Sequence, residues 1–307
     1  MSLRINNNIE SMNAHRNLLM NDRALSKSLE RLASGQKINR AADDPAALVI
    51  SEHMRAQVSG MKQAIRNNEV AISLVQTAEG SMNEISSILV SLRQRAISAA
   101  NVGASDQDMI DANQAEIENA LASIDRVVST TQFGHYKLLD GTNAAKTETN
   151  EDGSISTREG LRFHVGPNAE HMASTSIRDM STSALGRVTV KEGEIPNKSN
   201  FMSLADIDVR NEQGAQDALA IIDQALTEVA SVRGELGAFQ KHTLESNLTS
   251  LQVAAENMTA AESTIRDTDM AQELATFTRN QIMTQSATAQ LAQANAMPQH
   301  VLRLLNG

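Results

Sequence analysis

The stretch Pro45–Ala100, PAALVISEHMRAQVSGMKQAIRNNEVAISLVQTAEGSMNEISSILVSLRQRAISAA, decides the fold. Small or apolar residues recur in it at Met54, Val58, Met61, Ile65, Ile72, Val75, Ala78, Met82, Ile85, Leu89, Leu92, Ala96 and Ala99, with Asn68 between. The steps alternate four and three with one irregularity, the spacing that keeps one seam of a long helix against a partner helix. Asp44 is predicted to cap the first turn, Pro45 suits the first helical position, and Asn101-Val102-Gly103 supplies a stop. At 1.5 Å per residue such a helix is roughly 80 Å long. It cannot bury its seam against itself, so it needs lateral partners.

Composition narrows what those partners can be. The 307 residues include no Trp, one Tyr (Tyr136) and five Phe, so aromatic burial dominates no core. Leu, Ile, Val, Met and Ala suit close helix–helix seams instead. Without cysteine there are no disulfides and no thiolate metal sites. The net charge of −10 is uneven: residues 101–206 carry nine Lys/Arg against sixteen Asp/Glu, and 207–263 three against nine, while both ends are near neutral. Neutral, apolar-striped ends suit self-association, and an acidic middle suits a solvated exterior. No basic patch or aromatic platform points to nucleic acid, and no apolar run reaches the roughly 18 residues that insertion into a membrane takes. Met1–Asn8 lacks the apolar core of a cleaved secretory signal, which taken alone predicts a chain that stays in the cytoplasm.

Before the long helix, residues 8–34 read as helix: Ile5, Ile9 and Met12 step by four and three, and Leu18, Leu25, Leu29 and Leu32 continue the stripe to a Gly35 C-cap. After it, Ser105-Asp106-Gln107-Asp108 resembles a capping box, followed by a helix with Ile110, Ile117, Leu121, Ile124 and Val128 on one face. The character then changes. Asp140-Gly141 and Asp152-Gly153 are turn dipeptides, Leu161–Val165 alternates as a half-buried strand does, and Val188-Thr189-Val190 is a short strand. Helix returns near Asn211, with one stripe at Ile222, Leu226, Val229 and Leu236 and a second at Leu244, Leu248, Leu251, Ala254, Met258, Ala261 and Ile265. Arg266–Asp269 breaks it. A last helix carries Met270, Leu274 and Phe277, then Ala287, Leu291 and Ala294; Pro298 is expected to disturb it before Val301, Leu302, Leu304 and Leu305.

The predicted fold class is therefore mainly α, with long antiparallel coiled-coil-like helices from both termini and a small β-hairpin region in the middle. Residues 1–44 and 264–307 form one domain of paired terminal helices. Residues 45–263 form a shaft of helices at about 45–100, 105–130 and 211–263, with the β region at about 133–200. Isolated helices are marginal in water, so the ends are expected to order when copies associate.

Chemistry-bearing motifs are sparse. The seven His, at 15, 53, 135, 164, 171, 242 and 300, read as solvated or hydrogen-bonded residues, with His164, His171 and Glu170 sharing the β region. There is no HExxH, phosphate-binding or dinucleotide-binding motif, and no base partner for Ser34 or Ser81. No catalytic, cofactor or metal site is predicted. Asp43-Asp44 before Pro45 reads as a helix cap, and Asn197-Lys198-Ser199 fits a glycosylation sequon by pattern. The Ser/Thr-rich stretch Ser174–Thr189 reads as a solvated face open to O-linked sugars at Ser174, Thr175, Ser176, Ser181, Thr182 and Ser183.

Both ends of the chain carry a resemblance. LERLASGQKIN (29–39) followed by AADD (41–44), QTAEG (76–80) and IDRV (124–127) resemble the N-terminal signatures of bacterial flagellins. VRGELGA (232–238), IRDTD (265–269) and LAQAN (291–295) with Pro298-Gln299 are similar to the C-terminal ones. The likeness spans roughly residues 1–140 and 205–307, and the large outer domains of many flagellins are missing.

The resemblance implies a subunit that self-polymerises into the flagellar filament, outside the cell. Ile5, Ile9, Leu18, Leu25, Leu29, Leu32, Leu274, Phe277, Leu291, Leu302 and Leu305 would form its inner core. Met54, Val58, Met61, Ile65, Ile72, Leu89, Leu226, Val229, Leu248 and Leu251 would pack the shaft. It also implies export in unfolded form through the flagellar type III channel, which explains the missing signal peptide. Further implied partners are an export chaperone at 264–307, a filament cap and hook–filament junction proteins. In flagellins sensed by the toll-like immune receptor, the recognition stretch would align with Val90–Ile97. There the family's arginine falls on Ser91 and its leucine on Arg95, with Leu92 and Arg93 between and the expected Glu at Glu116, so recognition is not expected. Phe163–Asn168 is similar to spirochaete-type flagellins, whose filaments are periplasmic. The alternatives are a hook–filament junction protein of the same fold and a soluble coiled-coil signalling or adaptor module.

Overall fold

The computed structural model describes residues 8–101, 106–149, 155–158, 160–187 and 199–305, with backbone alone for 146–149, 155–158 and 298–305. Ile5, Val102, Gly103, Ser105, the Asp152-Gly153 turn, the strand expected at Val188–Val190 and the Asn197 sequon lie outside the described residues, as do the side chains of Leu302 and Leu305. Six helices, α1 (Ile9–Ser34), α2 (Pro45–Ala99), α3 (Gln107–Thr130), α4 (Glu212–Ala238), α5 (Ser246–Arg266) and α6 (Met270–Leu305), carry the architecture among the described residues. Between α3 and α4 lie three antiparallel two-stranded ribbons: β1 (Gln132–Phe133) with β2 (Tyr136–Lys137), β3 (Lys146–Thr149) with β4 (Ile155–Arg158), and β5 (Leu161–His164) with β6 (Met172–Thr175).

The chain divides into two compact units, residues 1–59 with 255–307 and residues 60–254. In the first unit α1 and α6 run antiparallel, with Asn8 meeting Ala294, Ser28 meeting Asn280 and Arg31 meeting Glu273. The pair is lined by buried and half-buried Ser11, Ala14, Leu18, Asn21, Leu25, Ser28 and Leu32 on α1, and Glu273, Phe277, Asn280, Thr284, Ala287, Leu291 and Ala294 on α6, with Glu30, Arg31, Thr276 and Ala296 half-buried beside them. Both sets step by three and four, a coiled-coil seam. Small and polar residues fill much of it. They bring the backbones close and bond across the pair, as when Asn21 donates to the Met283 carbonyl at 3.5 Å.

Helix ends follow local chemistry. Gly35 adopts φ 70°, and its N–H reaches the Arg31 carbonyl at 2.8 Å; Asp44 Oδ1 accepts from Ala47 N at 3.0 Å. The cap of α3 is Asp106, without a side-chain bond, and Ser105, which heads the expected capping box, lies outside the described residues. Pro298 does not end α6, which runs on to Leu305.

The second unit holds the main core. Val75, Ala78, Met82, Ile85, Leu89, Leu92, Ala96 and Ala99 of α2 are buried with Ile117, Leu121, Ile124 and Val128 of α3 and Ala218, Ile222, Ala225, Val229, Val232 and Leu236 of α4. From Val75 onward the buried positions are those the periodicity predicts. Earlier on α2, Val58 and Asn68 are buried on the expected seam, whereas at two positions the neighbouring alanine goes deeper: Ala64 and Ala71 are buried while Ile65 and Ile72 are half-buried. In the part of α2 that belongs to the first unit, Ser51 continues the same seam and is buried while Met54 is half-buried, and Met61 beyond it is half-buried too. Alanine and serine let another segment approach closely, and the larger residues flank the contact.

Between α4 and α5 the helix does not stop but passes through a π-helical stretch, Phe239–Glu245. The extra residue in a π turn shifts the helix phase, which explains why the sequence reads as two stripes, one to Leu236 and one from Leu244. Beside it in the second unit, the Phe163 and Phe239 rings lie 6.2 Å apart. Asn247 Nδ2 donates to the Val165 carbonyl at 2.6 Å, and Asn67 Nδ2 to that of His164 at 3.1 Å.

Candidate assembly surface

Residues of one helix can serve two faces. On α1, Leu18, Leu25 and Leu32 turn into the seam with α6, whereas Ile9 (57% exposed) and Leu29 (55%) do not, and Met12, Leu19 and Met20 are exposed with them. On α6, Phe277 and Leu291 belong to the seam, whereas Leu274 is 57% exposed and is joined by Met270, Ile282, Met283 and Met297. Each terminal helix thus buries one apolar set in the α1/α6 pair and leaves a second set exposed. A helix with an apolar face beyond what its own fold uses marks an interaction surface.

The connector that joins this pair to α2 is tightly bonded. Lys37 N donates to the Arg266 carbonyl at 2.7 Å and Thr268 N to the Gly35 carbonyl at 2.9 Å, a bridge between Gln36 and Asp267. Arg266 reaches Glu52 Oε1 at 2.7 Å, which holds the Glu52 carboxyl below its ordinary pKa. Ser34 Oγ accepts from Gln36 N at 3.1 Å and from Asn39 Nδ2 at 2.8 Å. Asp43 takes Lys27 Nζ at 2.7 Å and the N–H groups of Arg40 and Asn39. These lower its pKa to about 2, with the Lys27 hydrogen bond the largest cause. The two neighbouring carboxylates therefore divide their work: Asp44 caps α2, and Asp43 folds the connector.

Other expected sites meet the structure differently. Leu89 and Val229 are buried core, as are Val58 and Leu251, while Leu226 and Leu248 are half-buried. In the α2 stretch, Leu92 is buried in the core and cannot be presented to a receptor. Ser91 is exposed, Arg93 pairs with Asp223 at 2.6 Å and Arg95 with Glu116 at 2.6 Å. Among the six hydroxyls considered for sugars, Thr182 is 4% exposed, donates to Asp125 Oδ2 at 2.8 Å and offers its N–H to Oδ1 at 2.9 Å. It is closed to modification. Ser176 Oγ accepts from Ala145 N, Thr175 and Ser181 are half-buried, and Ser174 and Ser183 are exposed.

Sequence reasoning missed Gln114. Its amide accepts from Val209 N at 2.9 Å and donates to the Ile207 carbonyl at 3.3 Å, joining α3 to the segment before α4. A glutamine at a core phase of a predicted helix was the available signal.

Comparison with known proteins agrees at both ends. The bacterial flagellin N-terminal helical region matches residues 5–144 and the C-terminal helical region residues 219–305. The flagellin of Bacillus subtilis (strain 168) is 40% identical over 99% of this chain and all of that one. The flagellar filament 30.7 kDa core protein of Treponema maltophilum is 39% identical over 98% of this chain and 99% of its own. Among solved structures, a Vibrio parahaemolyticus chain assigned as a flagellar hook-associated protein superposes with a TM-score of 0.56 at 15% identity, over 73% of this chain and all of that one. That likeness is one of fold.

Proposed function

The chain belongs to the flagellin family and is a structural subunit of the bacterial flagellar filament, outside the cell; from that premise we propose that its copies join through the outward apolar face of the α1/α6 pair. The observation that carries this reading is the set of large apolar side chains, Ile9, Met12, Leu29, Leu274, Ile282 and Met283, left exposed after the seam is filled. Burying such side chains stabilises by roughly 1.5–3 kcal/mol each, so a few per contact suffice to hold a polymer.

The test separates the two faces. Leu29→Asp and Leu274→Asp should leave the soluble subunit's circular dichroism unchanged and abolish filament growth, because a lone carboxylate at the contact would be desolvated. Leu291→Asp, at the seam, should instead disrupt the α1/α6 pair itself. Filaments of normal yield from Leu29→Asp and Leu274→Asp would sink the reading.

Residues 1–44 and 264–307 would then form the inner core of the filament, and 45–263 its surrounding shaft. Export before assembly would run through the flagellar type III channel, and a chain without disulfides or Trp is compatible with passage in unfolded form. The 264–307 segment, with its exposed apolar face on α6, is the segment that an export chaperone would cover. The filament cap and the junction proteins would meet the same terminal helices. Sugars, where present, would sit on Ser174 and Ser183.

A further inference from the structure

A helical N–H donates to the carbonyl four residues earlier, and proline has no N–H to donate. Pro298 stands inside α6, which continues to Leu305, so the carbonyl of Ala294 lacks its helical donor. That carbonyl is not left empty. Asn8 Nδ2 donates to it at 2.8 Å from the opposite end of the chain. The same amide accepts from Ser11 N at 3.1 Å through Oδ1, capping α1, and Ser11 Oγ donates to Asn295 Oδ1 at 2.6 Å.

We propose that Asn8 and Pro298 are a matched pair, the proline opening one carbonyl of α6 and the asparagine taking it, so that the two ends of the chain are clasped at a single register. The need for such a device follows from the seam. Leu18, Leu25 and Leu32 recur every seven residues, so a slip by one heptad would still set leucines against α6. At the connector the register is held by the bridge between Gln36 and Asp267. At the far end, among the described residues, the polar bonds that cross the pair are those of Asn8 and Ser11. Asn8 is thus a positioning residue: it sets how the terminal helices present their outer face, and in this the inference rests on the assembly surface described above.

The experiment is a double-mutant cycle on the full-length protein, read as the critical concentration for filament growth. Asn8→Asp keeps the cap on Ser11 N but removes the donor to Ala294, so it should raise the critical concentration about tenfold. Pro298→Ala restores an N–H to that carbonyl; in its background Asn8→Asp should cost less than about threefold. A neutral Asn8→Asp, or the same penalty in both backgrounds, overturns the clasp. Wild-type filaments growing normally alongside either result leave the assembly reading standing.

Discussion

Asp43 and Thr182 show how differently single residues disclose their roles. Asp43 lies in a flagellin-like motif, yet nothing in the motif says that Lys27, a turn back along α1, is its partner. Its carboxyl titrates at about 2 in the folded chain, against about 3.9 in an unfolded one. A depressed carboxylate pKa contributes stability that is present above the unfolded value and lost as pH falls through the folded one. The connector should therefore loosen between about pH 4 and pH 2, and Asp43→Asn should flatten that dependence; a carboxyl NMR titration of the wild type checks the lowered pKa directly. Thr182 reads as one hydroxyl among many in a Ser/Thr-rich stretch. Only the fold reveals that Asp125 holds it inside, and glycopeptide mapping should find sugar at Ser174 or Ser183 but none at Thr182.

Among the elements, α2 is the most legible and also the most instructive where it departs from its pattern. Its periodicity fixes the buried face from Val75 onward, because there the large apolar residues Met82, Ile85, Leu89 and Leu92 themselves fall on the seam. Nearer the start, Ala71 is 0% exposed while Ile72 is not, and a hydrophobicity pattern favours the larger residue. Ala71→Leu should accordingly destabilise the second unit by about 1–3 kcal/mol through overpacking, and Ile72→Ala should cost less. Chemical denaturation of the two variants decides between the faces. The π-helical stretch was half visible: two stripes with a phase break between Leu236 and Leu244. Pro298 was read as a disturbance because an isolated helix has no replacement donor, whereas the folded chain has Asn8.

At the scale of the molecule, charge and shape act together. The net charge of −10 is concentrated outside the near-neutral ends, so copies brought together repel through their middles. Screening shortens that repulsion to about 8 Å at physiological salt, and raising the salt should lower the critical concentration for filament growth; an unchanged value would show that the acidic stretches stay too far apart to matter. On the outward side of the α2 stretch stands Arg95, which by the family resemblance falls on the leucine of the immune-sensed pattern, and it is tied to Glu116. A receptor reporter assay should therefore show weak or absent activation, and a response of ordinary potency would refute this. Sequence alone determined the helical class, the long shaft helix, the order of the helices and the family, because periodicity, caps and signature motifs are local and survive without neighbours. Tertiary structure alone decided which apolar residues of each terminal helix fill the seam and which stay exposed, where Ala replaces Ile at the contact, and which carbonyl Asn8 serves. Those depend on how close two backbones come and which donors lie across the gap, and residues nearly three hundred positions apart reveal neither until the chain folds.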